Sequence, residues 1–147
     1  MINRLLRSLF LWAARNPTLG EKLPAMPFMQ RAVHKFMPGD EIDDALEVAR
    51  PLQAAGIRTL YTKLGEAITE SAGAQAVADH YLDTIGRILD TGIDGEISGK
   101  PPQLGLDIDE DLCLGHLRTL AEAAAARGSY LWIDMEDSAY VDRTIDL

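Results

Sequence analysis

The chain has 147 residues, 47% of them hydrophobic and 25% charged, which is enough for one domain with a real core and too apolar for a disordered segment. A net charge of −9 argues against a general nucleic-acid binder, whose affinity comes from Lys and Arg neutralising phosphates. The single cysteine, Cys113, excludes an internal disulfide and makes the reducing cytoplasm the default compartment; no Cys/His set has metal-ligand spacing, so no zinc site is expected.

Charge is unevenly spread along the chain. Residues 1–37 carry six Lys/Arg and one acid, a net of +5, and the remainder carries eight against twenty-two, a net of −14. The first stretch, "MINRLLRSLFLWAARNP", has no uncharged apolar run long enough to span a bilayer and no cleavage site of signal-peptide type. Read as a helix, it gathers Ile2, Leu5, Leu6, Leu9 and Phe10 on one face and Arg4, Arg7 and Arg15 on the other. Such an amphipathic helix over residues 1–16 packs on the domain's own surface or lies on a membrane surface, which its basic polar face would suit. A Pro-rich connector, "NPTLGEKLPAMP", follows.

Three similar units come next, in residues 38–147. The first helix is predicted from about Asp40 to Ala55, with Ile42, Ala45, Leu46, Ala49 and Leu52 at helical spacing, and leads into "IRTLYTKL". The second, from about Gly73 to Thr91, carries Val77, Tyr81, Ile85 and Ile88 and leads into "IDGEISGK". The third, from about Asp109 to Arg127, carries Cys113, Leu117, Leu120 and Ala124 and leads into "SYLWIDM". Gly56, Gly92 and Gly128, 36 residues apart, stand where a left-handed residue would end each helix. Cys113 within its apolar stripe reads as a buried small hydrophobe.

Helices and strands alternating through short connections predict an α/β fold with parallel strands. "TLYTKLGEAIT" lacks the G-x-G-x-x-G of a dinucleotide-binding sheet, which favours a TIM-like (β/α)-barrel of which about three units are present. In a barrel the chemistry gathers where strands end. The strand ends read as Glu66, Lys100 and Asp134, spaced 34 residues apart, so strand three is expected to deliver its carboxylates to a ligand-facing rim. Asp137 or Ser138 suits a cap for the last helix, Glu136 a structural or supporting role, and Asp107 with Glu110 a capping box for helix three.

Four segments carry a resemblance. "ISGKPPQLGLDIDEDLC" and "WIDMEDSAYVDRTIDL", together with "TKLGEAIT" and "VHKFMPGDEIDDAL", resemble the proline dehydrogenase family in order and spacing from roughly Phe28 to Leu147. These are FAD-dependent flavoenzymes built on a distorted (β/α)-barrel. The resemblance implies oxidation of L-proline to 1-pyrroline-5-carboxylate, with FAD taking the hydride and electrons passing to a quinone. It implies that Lys100 lies near the proline carboxylate, that Asp134 is the aspartate beside that lysine at the reacting substrate, and that the backbone of Met135 contacts the flavin. A lysine ammonium in a water-excluding site is well suited to a carboxylate substrate. Glu66 receives no chemical role from the resemblance; its place after Leu64 and Gly65 fits a loop-fixing hydrogen bond.

The motif departs from the family pattern at Gly99, where a β-branched residue is common, and Gly99 with the Pro101–Pro102 pair predicts an early end to strand two. A complete barrel needs eight strands in about 250 residues, so the chain is expected to be the N-terminal part of such an enzyme and inactive alone. Two other readings stay open: a non-catalytic half-barrel that acts as a binding or regulatory partner, and an acidic barrel holding Mg²⁺ through Asp134, Glu136 and Asp137.

Overall fold

The computed structural model describes residues 39, 41–65 and 68–147. The helix expected in residues 1–16, its connector and Glu66 lie outside them. The chain divides into two units, residues 1–45 and 46–147, and the second holds the sheet.

Three helix-to-strand passages follow one another along the described chain. Helix α1 (Ile42–Ala54) leads to β1 (Thr59–Thr62), α2 (Ser71–Asp90) to β2 (Gly95–Gly99), and α3 (Glu110–Ala125) to β3 (Leu131–Ile133). A 3-10 turn, Pro101–Leu104, follows β2, and another, Ser138–Tyr140, precedes the short helix α4 (Val141–Asp146). The strands pair in parallel in the order β1-β2-β3. The helices lie within two residues of the expected ends.

The helix ends follow from the glycines. Gly56, Gly92 and Gly128 take φ of 77°, 68° and 70°, where a Cβ would be strained. Each is flanked by the same hydrogen bonds: Ile57 N–H to Leu52 O, Ile93 N–H to Ile88 O and Ser129 N–H to Ala124 O close the last turn in Schellman fashion. At the start of α3 the expected capping box is not formed. Asp109 is the N-cap, accepting from Leu112 N at 3.0 Å, while Asp107 and Glu110 are drawn to Arg143 of α4 at 3.0 Å each. The shift of register is small, but it frees two acids to anchor the element that follows β3.

The core lies between β2 and the helices. Every residue of β2 is buried, as are Tyr81, Ile85 and Ile88 of α2 and Cys113, Leu117 and Leu120 of α3. Each fully buried Ile or Leu contributes roughly 1.5–3 kcal/mol by leaving water, so this layer is the main source of stability. Gly95, Ile97 and Gly99 turn toward the helices; a Cβ at Gly95 would meet the Tyr61 ring at 2.7 Å and Ile88 at 3.4 Å, which explains a glycine inside a strand. The alternate residues, Glu96 and Ser98, turn to the other face, beside Trp132 and Asp134. That second face carries no helix among the described residues, and Leu60 and Trp132 are each 54% exposed on it.

Candidate active site

The C-terminal ends of β2 and β3 stop level with one another. Gly99 pairs with Ile133, and Asp134 N–H donates to Gly99 O at 3.0 Å, so the next residues, Lys100 and Asp134, stand opposite each other at the rim. β2 ends at Gly99 as its composition foretold: Pro101 and Pro102, which lack N–H donors, open the 3-10 turn instead of extending the ladder. β1 ends sooner than expected. Thr62 is its last residue and pairs with Ser98, so the position level with Lys100 falls near Leu64.

Tyr81 of α2 fixes this rim from beneath. Its ring is buried, its hydroxyl donates to Ser98 O at 2.9 Å, and it accepts from Lys63 N at 3.0 Å. One side chain thereby joins the ends of β1 and β2. Gln103 lies buried in the adjoining 3-10 turn with neither side-chain amide atom hydrogen-bonded to a described residue, and a Cβ at Gly65 would come within 3.1 Å of its Nε2. Gly65 is small because Gln103 occupies the space beside it.

The charged groups do not pair straight across. Lys100 Nζ donates to Glu136 Oε1 at 2.7 Å, and the two side chains are 28% and 30% exposed. Asp134 Oδ1 instead accepts from Ser98 Oγ. Each side chain therefore leans to the residue two positions along from its opposite number. The hydrogen bond from Lys100 to Glu136 holds the ammonium above the usual lysine range; partial burial opposes this, and Asp134 adds a smaller favourable charge. Asp134 acts on the Lys100 charge from nearby, but Glu136 is the direct partner of Lys100. Asp137 accepts from Ser138 N at 2.6 Å and caps the 3-10 turn. With Asp134, Glu136 and Asp137 each turned to a different donor, the described residues hold no group of acids arranged for a metal ion.

Met135, directly after Asp134, is 57% exposed, and Leu64 across the rim is 70% exposed. An ammonium and a carboxylate flanked by exposed apolar side chains suit a flat, largely apolar ring carrying polar edges. Cys113 takes no part. It is fully buried, its thiol lies against Pro101 O at 3.5 Å, and burial pushes it up to about 11.

Sequence reasoning missed a second cluster at the opposite ends of the strands. Arg58 donates to Asp94 at 2.8 Å and to Glu96 Oε1 at 2.7 Å, and Trp132 Nε1 donates to Glu96 Oε2 at 2.5 Å. It ties all three strands together on the open face, and a shallow groove lined by Ile88, Asp94, Arg127 and Ser129 lies at the same end. The 36-residue offset between β1 and β2 was the signal that could have found it, since Arg58 and Asp94 are one such step apart.

Parallel βα units ending in a lysine–acid rim define an α/β chain of the kind that places its chemistry at strand ends. The sequence profile of the family described as proline dehydrogenase matches residues 45–147, and the chain belongs to that family. Among curated relatives, proline dehydrogenase 1 of Bacillus subtilis subsp. natto is 30% identical over 143 residues, covering 97% of this chain and 47% of that protein. The proline dehydrogenase of Deinococcus radiodurans is 31% identical over 149 residues, covering 99% of this chain and 47% of its own length. The chain thus spans about half the length of the relatives it matches. Among solved structures, proline utilization A (PutA) from Bdellovibrio bacteriovorus inactivated by N-propargylglycine superposes with a TM-score of 0.65 at 18% identity, over 74% of this chain and 14% of that one, a likeness of fold.

Proposed function

We propose that this chain forms the lysine–aspartate side of an active site that oxidises L-proline to 1-pyrroline-5-carboxylate, within a (β/α)-barrel whose first three units it supplies. The observation that carries the reading is the rim itself: in a proline dehydrogenase family member, β2 and β3 end level and bring Lys100 and Asp134 opposite each other. Lys100 binds the carboxylate of proline by a charge-assisted hydrogen bond. Asp134, held by Ser98, orients the ring nitrogen and its proton beside that contact. Leu64 and Met135 would supply apolar surface beside the reacting carbon, and the backbone of Met135 would contact the flavin. FAD, when bound, supplies the hydride acceptor, and a quinone is the onward electron acceptor. Among the described residues no helix is long and apolar enough to cross a membrane; contact with a membrane quinone falls to residues 1–16, on an enzyme that works at the cytoplasmic side.

A chimera tests this directly. Residues 45–147 replace the matching segment of the Bacillus subtilis relative, and L-proline-dependent dye reduction is followed. The chimera is expected to reduce the dye with L-proline and not with glycine, and a Lys100→Met version is expected to lose at least about tenfold in kcat/KM, one charge-assisted hydrogen bond's worth. A folded, flavin-bearing chimera indifferent to proline would overturn the reading. The 147-residue chain alone is expected to be inactive in the same assay. The open β-sheet face, with Leu60 and Trp132 half exposed, favours one further reading, a non-catalytic half-barrel that docks on a partner.

A further inference from the structure

We propose that Glu136 is the positioning residue for Lys100, and that Ser98 independently positions Asp134, so that the rim presents two separately oriented charges in place of one lysine–aspartate pair. The inference rests on the proline reading in that it gives Lys100 a carboxylate to meet.

The register makes the arrangement informative. Lys100 and Asp134 follow the paired residues Gly99 and Ile133, so they stand level across the two strands and a direct cross-strand pair is the simplest one to expect. Neither makes it. Asp134 turns back to the hydroxyl of Ser98, a residue only 1% exposed whose carbonyl is itself held by buried Tyr81. Lys100 turns outward to Glu136 at 2.7 Å. A buried, doubly anchored serine is a rigid support, and the Ser98 contact takes Oδ1 of Asp134. Glu136 sits beyond the strand and takes one of the three N–H donors of Lys100, leaving two without a protein acceptor among the described residues.

Three chemical consequences follow. An entering carboxylate meets an ammonium already fixed in place and does not have to break a lysine–aspartate pair to reach it. Asp134 keeps an oxygen for the N–H side of the ligand. A ligand bearing both an anionic and an N–H group is therefore favoured over a simple carboxylate, because each group finds its own oriented partner. The groups that act on Lys100 are Glu136 and Asp134 beyond β3 and Tyr81 from α2, and Glu136 acts most strongly.

The test is carbon-detected NMR of the full chain with ¹³C-labelled lysine, glutamate and aspartate. In the wild type, the Lys100 Cε resonance is expected to shift as the Glu136 carboxyl titrates. Glu136→Gln is expected to lower the Lys100 midpoint, Glu136→Asp to restore it in part, and Asp134→Asn to lower it less than Glu136→Gln does. A merely structural glutamate would not produce that ranking or that rescue. Should Glu136→Gln fail to fold, the wild-type titration still decides: a Lys100 signal that follows Asp134 and ignores Glu136 overturns the proposal, as does a larger drop in Asp134→Asn. Adding L-proline separates this from the functional reading. If Lys100 remains coupled to Glu136 yet ignores L-proline, the positioning stands and it is proline recognition by this chain that fails.

Discussion

The two faces of the sheet are built differently. On the helix-covered face, Ile97, Tyr81, Leu117 and Leu120 are at most 5% exposed and the strand glycines admit close packing. On the other face, Leu60 and Trp132 stand half exposed beside a row of polar contacts: Arg58 to Glu96, Trp132 to Glu96, and Ser98 to Asp134. A dry face obtains stability from area and shape; a face lined by hydrogen-bonded polar groups obtains less stability and more definite geometry. All the residues assigned to chemistry arise at the rim of the second kind of face. The comparison predicts that substitutions on the covered face will act on folding, and that those on the open face will act on the position of individual groups.

The largest effect should come from the covered face. Leu120 is completely buried in α3, so Leu120→Ala is expected to cost about 2–5 kcal/mol by lost burial and the cavity left behind, read from urea unfolding. A cost under 1 kcal/mol would mean that this layer is not packed as described. Next is Tyr81→Phe, which keeps the ring but deprives Ser98 O and Lys63 N of their shared partner; about 1–3 kcal/mol is expected. Because that hydroxyl holds the strand ends, the same variant should also move the Lys100 and Asp134 resonances, whereas Leu120→Ala should leave them in place as long as the chain is folded. This pairing sharpens the contrast between area and geometry.

Those same two layers differ in how readable they were. Helix α2 announced itself through Val77, Tyr81, Ile85 and Ile88 at helical spacing, and Gly92 announced its end, because both depend on contacts local in sequence. Lys100 and Asp134 were legible as strand ends, and the family resemblance named them. What could not be read was the partner of each. Whether Lys100 joins Asp134 or Glu136 turns on a two-residue lean across strands 34 residues apart, and whether Asp107 caps α3 or binds Arg143 turns on where α4 comes to rest. The hydroxyl of Tyr81 was hidden for the same reason: helical periodicity shows that a tyrosine faces the core, and only the packed core shows which backbone atoms it meets. The end of β1 illustrates the converse, since reading "IRTLYTKL" as one extended run assumed a longer strand than the one ending at Thr62.

Cys113 gives a chemical measure of the covered face. At pH 8 its alkylation by iodoacetamide should be slower than that of the unfolded chain by on the order of 100-fold, from the suppressed thiolate alone. The sign of the linked stability is fixed. The folded thiol ionises near 11 and the unfolded thiol near 9, so the unfolded state loses its proton first; the contribution is intact below pH 9 and is lost as pH rises toward 11. Alkylation as fast in the native as in the unfolded chain would place Cys113 outside the core.

The smallest effect should be at Trp132. Trp132→Phe removes the indole donor to Glu96 Oε2 and little buried area, and Glu96 keeps its contact with Arg58 through Oε1. The expected cost is under about 1 kcal/mol, the net worth of one partly exposed hydrogen bond. The measurement discriminates sharply because Trp132 sits on the same face as Asp134 and two residues before it. If unfolding shows a cost comparable to that of Leu120→Ala, Trp132 is covered in solution, and the open face has an occupant: a second copy of the chain, if the excess cost grows with protein concentration, or another segment of the same chain, if it does not. If the cost is small and L-proline still perturbs Lys100 in the variant, the rim works as a geometry independent of how the face below it is covered.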